Sequence, residues 1–316
     1  MSLVEQALKK MQEASHRAAG AQPAAPAPAG RVLHPDAGGA SRPGDTVSHR
    51  GIVTAAPAVT VSIDFPALRA AGLLAPEHQE RQLARQYRQI KRPLVANAIG
   101  RGAQRLPDGH LIMLASAMPG EGKTFTAINL ALSMSIEKDV HVLLVDADVA
   151  KPHISRLFGL SEMPGLLDLL RDPRLQVESV ILPTDVPNLS LLPAGTRSEQ
   201  ATELLASARM AEVVRTIGRN DDQRIVIFDS PPLLLTTESH ALTQVAGQIV
   251  VVVRAGATSH QTLLDAISYL GGHTAVSLVL NQSVASTPAG NYYYGYGESG
   301  RPEYGDNNSR PGAQAP

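Results

Sequence analysis

Residues 117–125, "AMPGEGKTF", place a lysine and a threonine directly behind two glycines spaced by one residue. Those residue types in that order suit a chain of phosphates. Gly120 and Gly122 let the backbone bend so that successive N–H groups turn toward phosphate oxygens. A helix starting near Lys123 adds the positive end of its dipole, the Lys123 ammonium can reach the β and γ phosphates, and the Thr124 hydroxyl is a hard-oxygen ligand for Mg2+. The candidate nucleotide-binding residues are therefore Met118, Pro119, Gly120, Glu121, Gly122, Lys123, Thr124 and Phe125, with Ala117 standing where the pattern has its first glycine. Two further stretches end apolar runs on carboxylates: "VLLVDAD" presents Asp146 and Asp148, and "IVIFD" presents Asp229. Mg2+ takes hard oxygens and keeps several waters, so one or two of these carboxylates with Thr124 and phosphate oxygens would suffice to hold it. Aspartates at strand ends also cap following helices, which is the structural alternative for these three.

A second feature lies near the end of the chain. Five of the seven tyrosines, Tyr292, Tyr293, Tyr294, Tyr296 and Tyr304, fall in the Gly-rich stretch "NYYYGYGESGRPEYG", in a chain with four phenylalanines and no tryptophan. They sit where they cannot build a core.

These residues need elements to position them. Apolar runs at 110–117, 140–148, 189–195, 224–232, 248–256 and 275–282 alternate with helical patterns. Continuous rather than alternating hydrophobicity marks strands covered on both faces, and strands separated by helices imply right-handed crossovers and a parallel sheet. The expected fold is α/β: an open, mostly parallel sheet flanked by helices, with its ligand outside the carboxyl ends of the strands. Ahead of it, residues 1–20 have Leu3, Val4, Ala7, Leu8 and Met11 at helical spacing, which fits either a solvated helix or a docking helix. Residues 21–60 are rich in Ala, Pro and Gly and read as a disordered linker, 61–284 as the folded domain, and 285–316 as a flexible tail.

Composition removes several classes. A net charge of −1 gives no electrostatic reason to expect nucleic acid, and zero cysteines exclude disulfides and thiolate metal sites. No apolar run reaches the ~20 residues of a membrane span, and the start lacks a signal peptide's apolar centre. A cytoplasmic protein is expected, with any membrane role coming through a partner.

The succession "SAMPGEGKT", "VLLVDADVAKP", "LPAG…ELL", "IVIFDSPP", "VVRAGATSHQTL" and "LVLNQ" resembles the bacterial tyrosine autokinases of exopolysaccharide synthesis, over roughly residues 80–300. These are P-loop relatives of the MinD and ParA ATPases. The "IKRPL" and "DVAKP" segments look most like the branch found beside exosortase and chain-length-determinant genes. The resemblance implies ATP and Mg2+ as cofactors and the tail tyrosines as phosphate acceptors, modified between subunits. It implies Lys123, Asp146 and Asp148 as catalytic residues, with Asp146 accepting the phenol proton, and Asp148 and Asp229 on the metal. Arg254 and Asn281 match positions near the nucleotide, Asn281 against adenine. A positioning ATPase is the competing reading. Such proteins usually carry a second lysine early in the loop, where this chain has Met118-Pro119, and they lack a tyrosine-rich tail.

Two departures stand out. The family's self-association helix usually reads Glu-x-x-Arg-x-x-Arg, whereas "RQYRQIK" has Arg85 and Lys91 at the outer positions and keeps only Arg88. That leaves the subunit number of the implied homo-oligomer open. Many relatives also carry a fused transmembrane activator. For this chain the resemblance implies a separate, Wzz-like membrane chain-length-determinant protein that recruits it to the inner face of the membrane, and a tyrosine phosphatase that resets it.

Overall fold

The six apolar runs all form strands in the computed structural model, which describes residues 59–100, 106–219, 223–270, 273 and 275–283. The expected N-terminal helix, nearly all of the linker and the tyrosine-rich tail lie outside the described residues. The strands are β1 (Leu111–Ser116), β2 (His141–Asp146), β3 (Leu182–Pro183), β4 (Leu189–Leu192), β5 (Arg224–Asp229), β6 (Gln248–Arg254) and β7 (Val276–Asn281). Their spatial order is β3-β4-β2-β5-β1-β6-β7, and every neighbouring pair is parallel except β3 with β4. β3 is an addition to the sequence reading. It is a two-residue strand at an edge, where Pro183 can do without the N–H it lacks.

Alternate residues of the central strands enter two separate cores. Leu111, Met113, Leu143, Val145, Val226, Phe228, Ile249 and Val251 face one side, and Ile112, Leu114, Val142, Leu144, Ile225, Ile227, Val250 and Val252 the other. This is why the runs are continuously apolar: both faces are covered. The first face packs against α5 (Leu166–Arg171), α8 (Ala208–Arg219) and the buried residues of α9 (Glu238–Thr243) and α10 (His260–Ser268). The second packs against α1 (Phe65–Ala70), α2 (Glu80–Ile99) and α3 (Lys123–Ser135). Shorter helices α4 (His153–Leu157), α6 (Val177–Val180) and α7 (Ala201–Leu205) join the layers. Each fully buried Leu or Ile here contributes roughly 1.5–3 kcal/mol, so Leu114→Ala would cost about 2–5 kcal/mol.

Local signals agree with the larger pattern. α1 is capped by Asp64, whose Oδ1 accepts from the Ala67 amide at 2.9 Å. α2 ends at Gly100, which takes the left-handed conformation (φ 73°) that favours glycine. One strand departs from the expectation of two covered faces. Leu278 and Leu280 of β7, an edge strand of the sheet, are 54% and 63% exposed.

Candidate functional site

β1 lies between β5 and β6, so the loop that leaves its carboxyl end emerges at the middle of the sheet. The loop covers residues 117–122 and feeds directly into α3 at Lys123. Gly120 (φ 78°) and Gly122 (φ 94°) both take the left-handed backbone. For Gly122 space matters as well: a Cβ there would lie 1.9 Å from Asn281 Nδ2.

Strand register brings the charged groups together. Leu114 of β1 pairs with Asp229 of β5, and Asp229 pairs with Asp146 of β2. Asp229 is wholly buried; its Oδ1 accepts from Lys123 Nζ at 3.0 Å and its Oδ2 from the Thr124 hydroxyl at 2.7 Å. Asp146 is equally buried, and its Oδ2 accepts from both the backbone N–H and the hydroxyl of Ser155, each at 2.7 Å. Its Oδ1 has no hydrogen-bond partner among the described residues. Burial, with smaller contributions from the charges of Asp229 and Asp148, raises the Asp146 carboxyl to about 7 against the lowering pull of Ser155. Burial also raises Asp148, opposed chiefly by the Lys123 charge.

A cavity of about 650 Å3 opens beside the loop. Pro119, Gly120, Gly122, Lys123, Thr124 and Phe125 form one wall; Asp148, Lys151 and His153 form another; Pro231, Pro232, Leu235 and Thr236 a third. Ser116, Ala150, Asn281, Gln282 and the turn at Gly72 and Leu73 complete the lining. Asp146 and Asp229 lie beneath this surface rather than on it. Met118 is 39% exposed, and Arg254 is exposed at the end of β6, outside the lining. Glu121 points away from the cavity and is buried. Its carboxylate accepts from the Met118 amide at 3.0 Å and from the Thr258 hydroxyl, and Thr258 Oγ1 accepts from the Arg254 amide at 3.1 Å.

Sequence reasoning missed Ser155, Thr258 and the Pro231-Pro232 wall. A signal existed only for the last, in the rigid "DSPP" turn behind β5. The candidate oligomerisation residues lie elsewhere, on α2. Arg85 and Arg88 are exposed, whereas Lys91 turns inward: its Nζ donates to the Ser133 carbonyl at 2.6 Å, in the last turn of α3, and pairs with Glu137 at 2.7 Å. Tyr292, Tyr293, Tyr294, Tyr296 and Tyr304 fall outside the described residues.

Comparison with known proteins places this geometry. The family model described as "AAA domain" matches residues 109–278, more than half of the chain. The chain is 30% identical to the tyrosine-protein kinase wzc of Salmonella typhimurium over 191 residues, which is 60% of this chain and 26% of that protein. It is 34% identical to the tyrosine-protein kinase YwqD of Bacillus subtilis over 150 residues, 48% of this chain and 62% of that one. It therefore spans less than two thirds of the length of these relatives. Among solved structures it is similar to the BceF tyrosine kinase domain, with 26% identity and a TM-score of 0.55 over 68% of this chain and 85% of that one. The VpsO kinase domain is similar at 25% identity and a TM-score of 0.55, over 66% of this chain and all of that domain. With its phosphate loop at the head of α3 and its acidic strand ends beside it, the chain belongs to the AAA domain family, and the relatives it is similar to are named tyrosine-protein kinases.

Proposed function

We propose that this chain is an ATP-dependent protein-tyrosine kinase that phosphorylates the C-terminal tyrosines of other copies of itself. The observation that carries this reading is the single cavity lined by Gly120, Gly122, Lys123 and Thr124 on one side and by Asp148 on another. It offers a phosphate cradle and an acidic group in one space, open to solvent, and relatives to which the chain is similar in sequence are named tyrosine-protein kinases.

The residues present fit a Mg2+ ion. Thr124 Oγ1 and Asp229 Oδ2 are hard oxygens 2.7 Å apart, and Asp148 lines the same cavity. No group of three or more acidic or histidine side chains forms a ready-made cation cage among the described residues. An ion held by Thr124, Asp148 and Asp229, directly or through water, would thus take its remaining oxygens from phosphates. When bound it neutralises charge on the β and γ phosphates. The chain's own contributions are positional and electrostatic. Lys123 exchanges its bond with Asp229 for phosphate oxygens, and the loop amides hold the chain of phosphates in line with the incoming phenol oxygen. Asp146, whose Oδ1 is unpartnered among the described residues and whose carboxyl is raised, takes the role of proton acceptor only for a phenol oxygen that reaches below the cavity surface; against a phenol near ~10 it is a weak base, and orientation is its larger contribution. Arg254, matched to the nucleotide surroundings by the family resemblance alone, sits outside the cavity lining.

Each phosphotyrosine adds about −1.5 to −2 charges, so a modified tail repels its neighbours and the acidic strand ends, which supports a switch between assembled and dispersed kinase. The wider setting follows the same reading. It comprises a homo-oligomer, recruitment to the inner face of the membrane by a Wzz-like chain-length-determinant protein, control of exopolysaccharide polymerisation and export, and a phosphatase that resets the tail. Among the described residues no helix is long and apolar enough to cross a membrane.

Incubating the chain with Mg-ATP and mapping phosphopeptides tests the proposal. Phosphate should accumulate on Tyr292, Tyr293, Tyr294, Tyr296 or Tyr304, and Lys123→Met should abolish it. Hydrolysis of ATP without any labelling of the chain would point to a positioning ATPase instead.

A further inference from the structure

A peptide unit is nearly planar and trans, so its carbonyl and the next residue's N–H point in opposite directions. Fixing a carbonyl therefore aims the amide that follows it. Two carbonyls of the phosphate loop are held by side chains at the end of β7. Asn281 Nδ2 donates to the Glu121 carbonyl at 2.9 Å, and Gln282 Nε2 donates to the Gly120 carbonyl at 3.4 Å. The amides aimed by these two bonds belong to Gly122 and Glu121, in the middle of the cradle.

Other features of the site support this strut. Gly122 has no Cβ to keep Asn281 away, and one added there would sit 1.9 Å from Asn281 Nδ2. Gln282 takes a left-handed backbone (φ 55°), an uncommon conformation for a residue with a side chain. The backbone of Asn281 is itself fixed by register with Arg254 of β6, and its carbonyl accepts from the Ala255 amide at 2.9 Å. Behind the loop, the Glu121 carboxylate ties the Met118 amide to Thr258. The loop is thus pinned from β7 and from the turn after β6 before any phosphate arrives.

We infer that Asn281, with Gln282 as a weaker second, is a positioning residue for the phosphate cradle: it holds the loop so that its amides already face the anion, whatever base the anion carries. The inference rests on the reading of residues 117–124 as a phosphate-binding loop and not on kinase activity. It differs from the adenine contact that the family resemblance implies for Asn281, and a ligand without a base separates the two. A preorganised cradle saves the ordering cost that a loose loop would meet on binding.

Calorimetric titration of the full-length chain with Mg-ADP and with Mg-tripolyphosphate tests it. Asn281→Ala should weaken both ligands by a similar factor, about tenfold for one well-formed hydrogen bond lost. Asn281→Asp should be worse for both, because a carboxylate oxygen would then face the Glu121 carbonyl and the anion. Gln282→Ala, a change at an exposed side chain that leaves the fold intact, should weaken both by about threefold at most, in keeping with its longer bond. Unliganded melting temperatures identify any variant that fails to fold, and the Gln282 variant then decides. Loss confined to Mg-ADP with tripolyphosphate unchanged would overturn the inference in favour of a base contact. Unchanged affinity for both ligands in the Asn281 variants would also overturn it. A wild-type chain that binds neither ligand would remove the phosphate-loop reading along with it.

Discussion

Asp229→Asn removes one charge from the most buried point of the site. Asp229 is 0% exposed, and the Lys123 side chain that pairs with it is 9% exposed at the wall of the cavity, so water compensates its ammonium only in part. Breaking a buried pair by removing one partner costs about 3–5 kcal/mol. Here the loss is smaller on two counts. An asparagine oxygen still accepts one of the two bonds from Lys123 and Thr124, and removing the Asp229 charge relieves its repulsion with Asp146, which adds to the rise of the Asp146 carboxyl. The expected cost is therefore about 2–3 kcal/mol, or a fall in Tm of roughly 4–12 °C for a domain of this size. Thermal unfolding without nucleotide, with EDTA present, reads it directly. The companion variants are Lys123→Met and the double variant. If the ion pair is the cause, the double variant should lose at least about 1 kcal/mol less than the sum of the singles. Additive losses would refute the claim that Lys123 and Asp229 hold each other in the nucleotide-free chain.

Asp146 predicts a pH dependence. Its carboxyl is raised to about 7 in the folded chain, above the usual ~3.9 of an unfolded aspartate, so between those values the folded state binds a proton that the unfolded state does not. Stability from this group is full below pH ~4 and is lost as pH rises through about 7; Asp146→Asn, melted in EDTA from pH 5 to 8, should show a shallower decline than wild type. Gly122→Ala places a Cβ 1.9 Å from Asn281 Nδ2 on a left-handed backbone, and should weaken Mg-ADP at least tenfold in a fluorescence titration. Lys91→Met leaves the Ser133 carbonyl without its donor inside the protomer, and should lower stability by about 1–3 kcal/mol at any protein concentration. A loss seen only at concentrations where the chain assembles would instead place Lys91 between subunits.

What was legible in the sequence was whatever is local along the chain. Gly120, Gly122, Lys123 and Thr124 are consecutive or nearly so, and their types alone require a loop leading into a helix; the structure supplies both. Asp146 and Asp229 could be read as neighbours because each ends a buried apolar run, and register sets them side by side. Side-chain bonds that cross the chain left no trace in residue type or spacing; only the family resemblance put Asn281 near the loop. Thr258 meets Glu121 across 137 positions, and Asn281 meets the loop across 160, so neither residue type nor spacing announces the bond. β3 escaped because two residues make no periodic pattern. Lys91 read as an oligomerisation residue because it stands at an outer position of the self-association pattern. Only the packing of α2 on α3 turns it toward the Ser133 carbonyl. The apolar run of β7 likewise could not say that it ends the sheet, so Leu278 and Leu280 read as covered when they are not.

Transfer between copies is the central claim, and a mixing experiment tests it most directly. One chain carries Lys123→Met and an intact tail; the other has wild-type residues 1–283 and ends there. Incubated together with Mg-ATP, the Lys123→Met chain should acquire phosphate on tyrosines between 292 and 304, and neither chain should do so alone. A Lys123→Met chain that stays unlabelled in the mixture, while the intact wild-type chain labels its own tail at a rate independent of its concentration, would contradict transfer between copies.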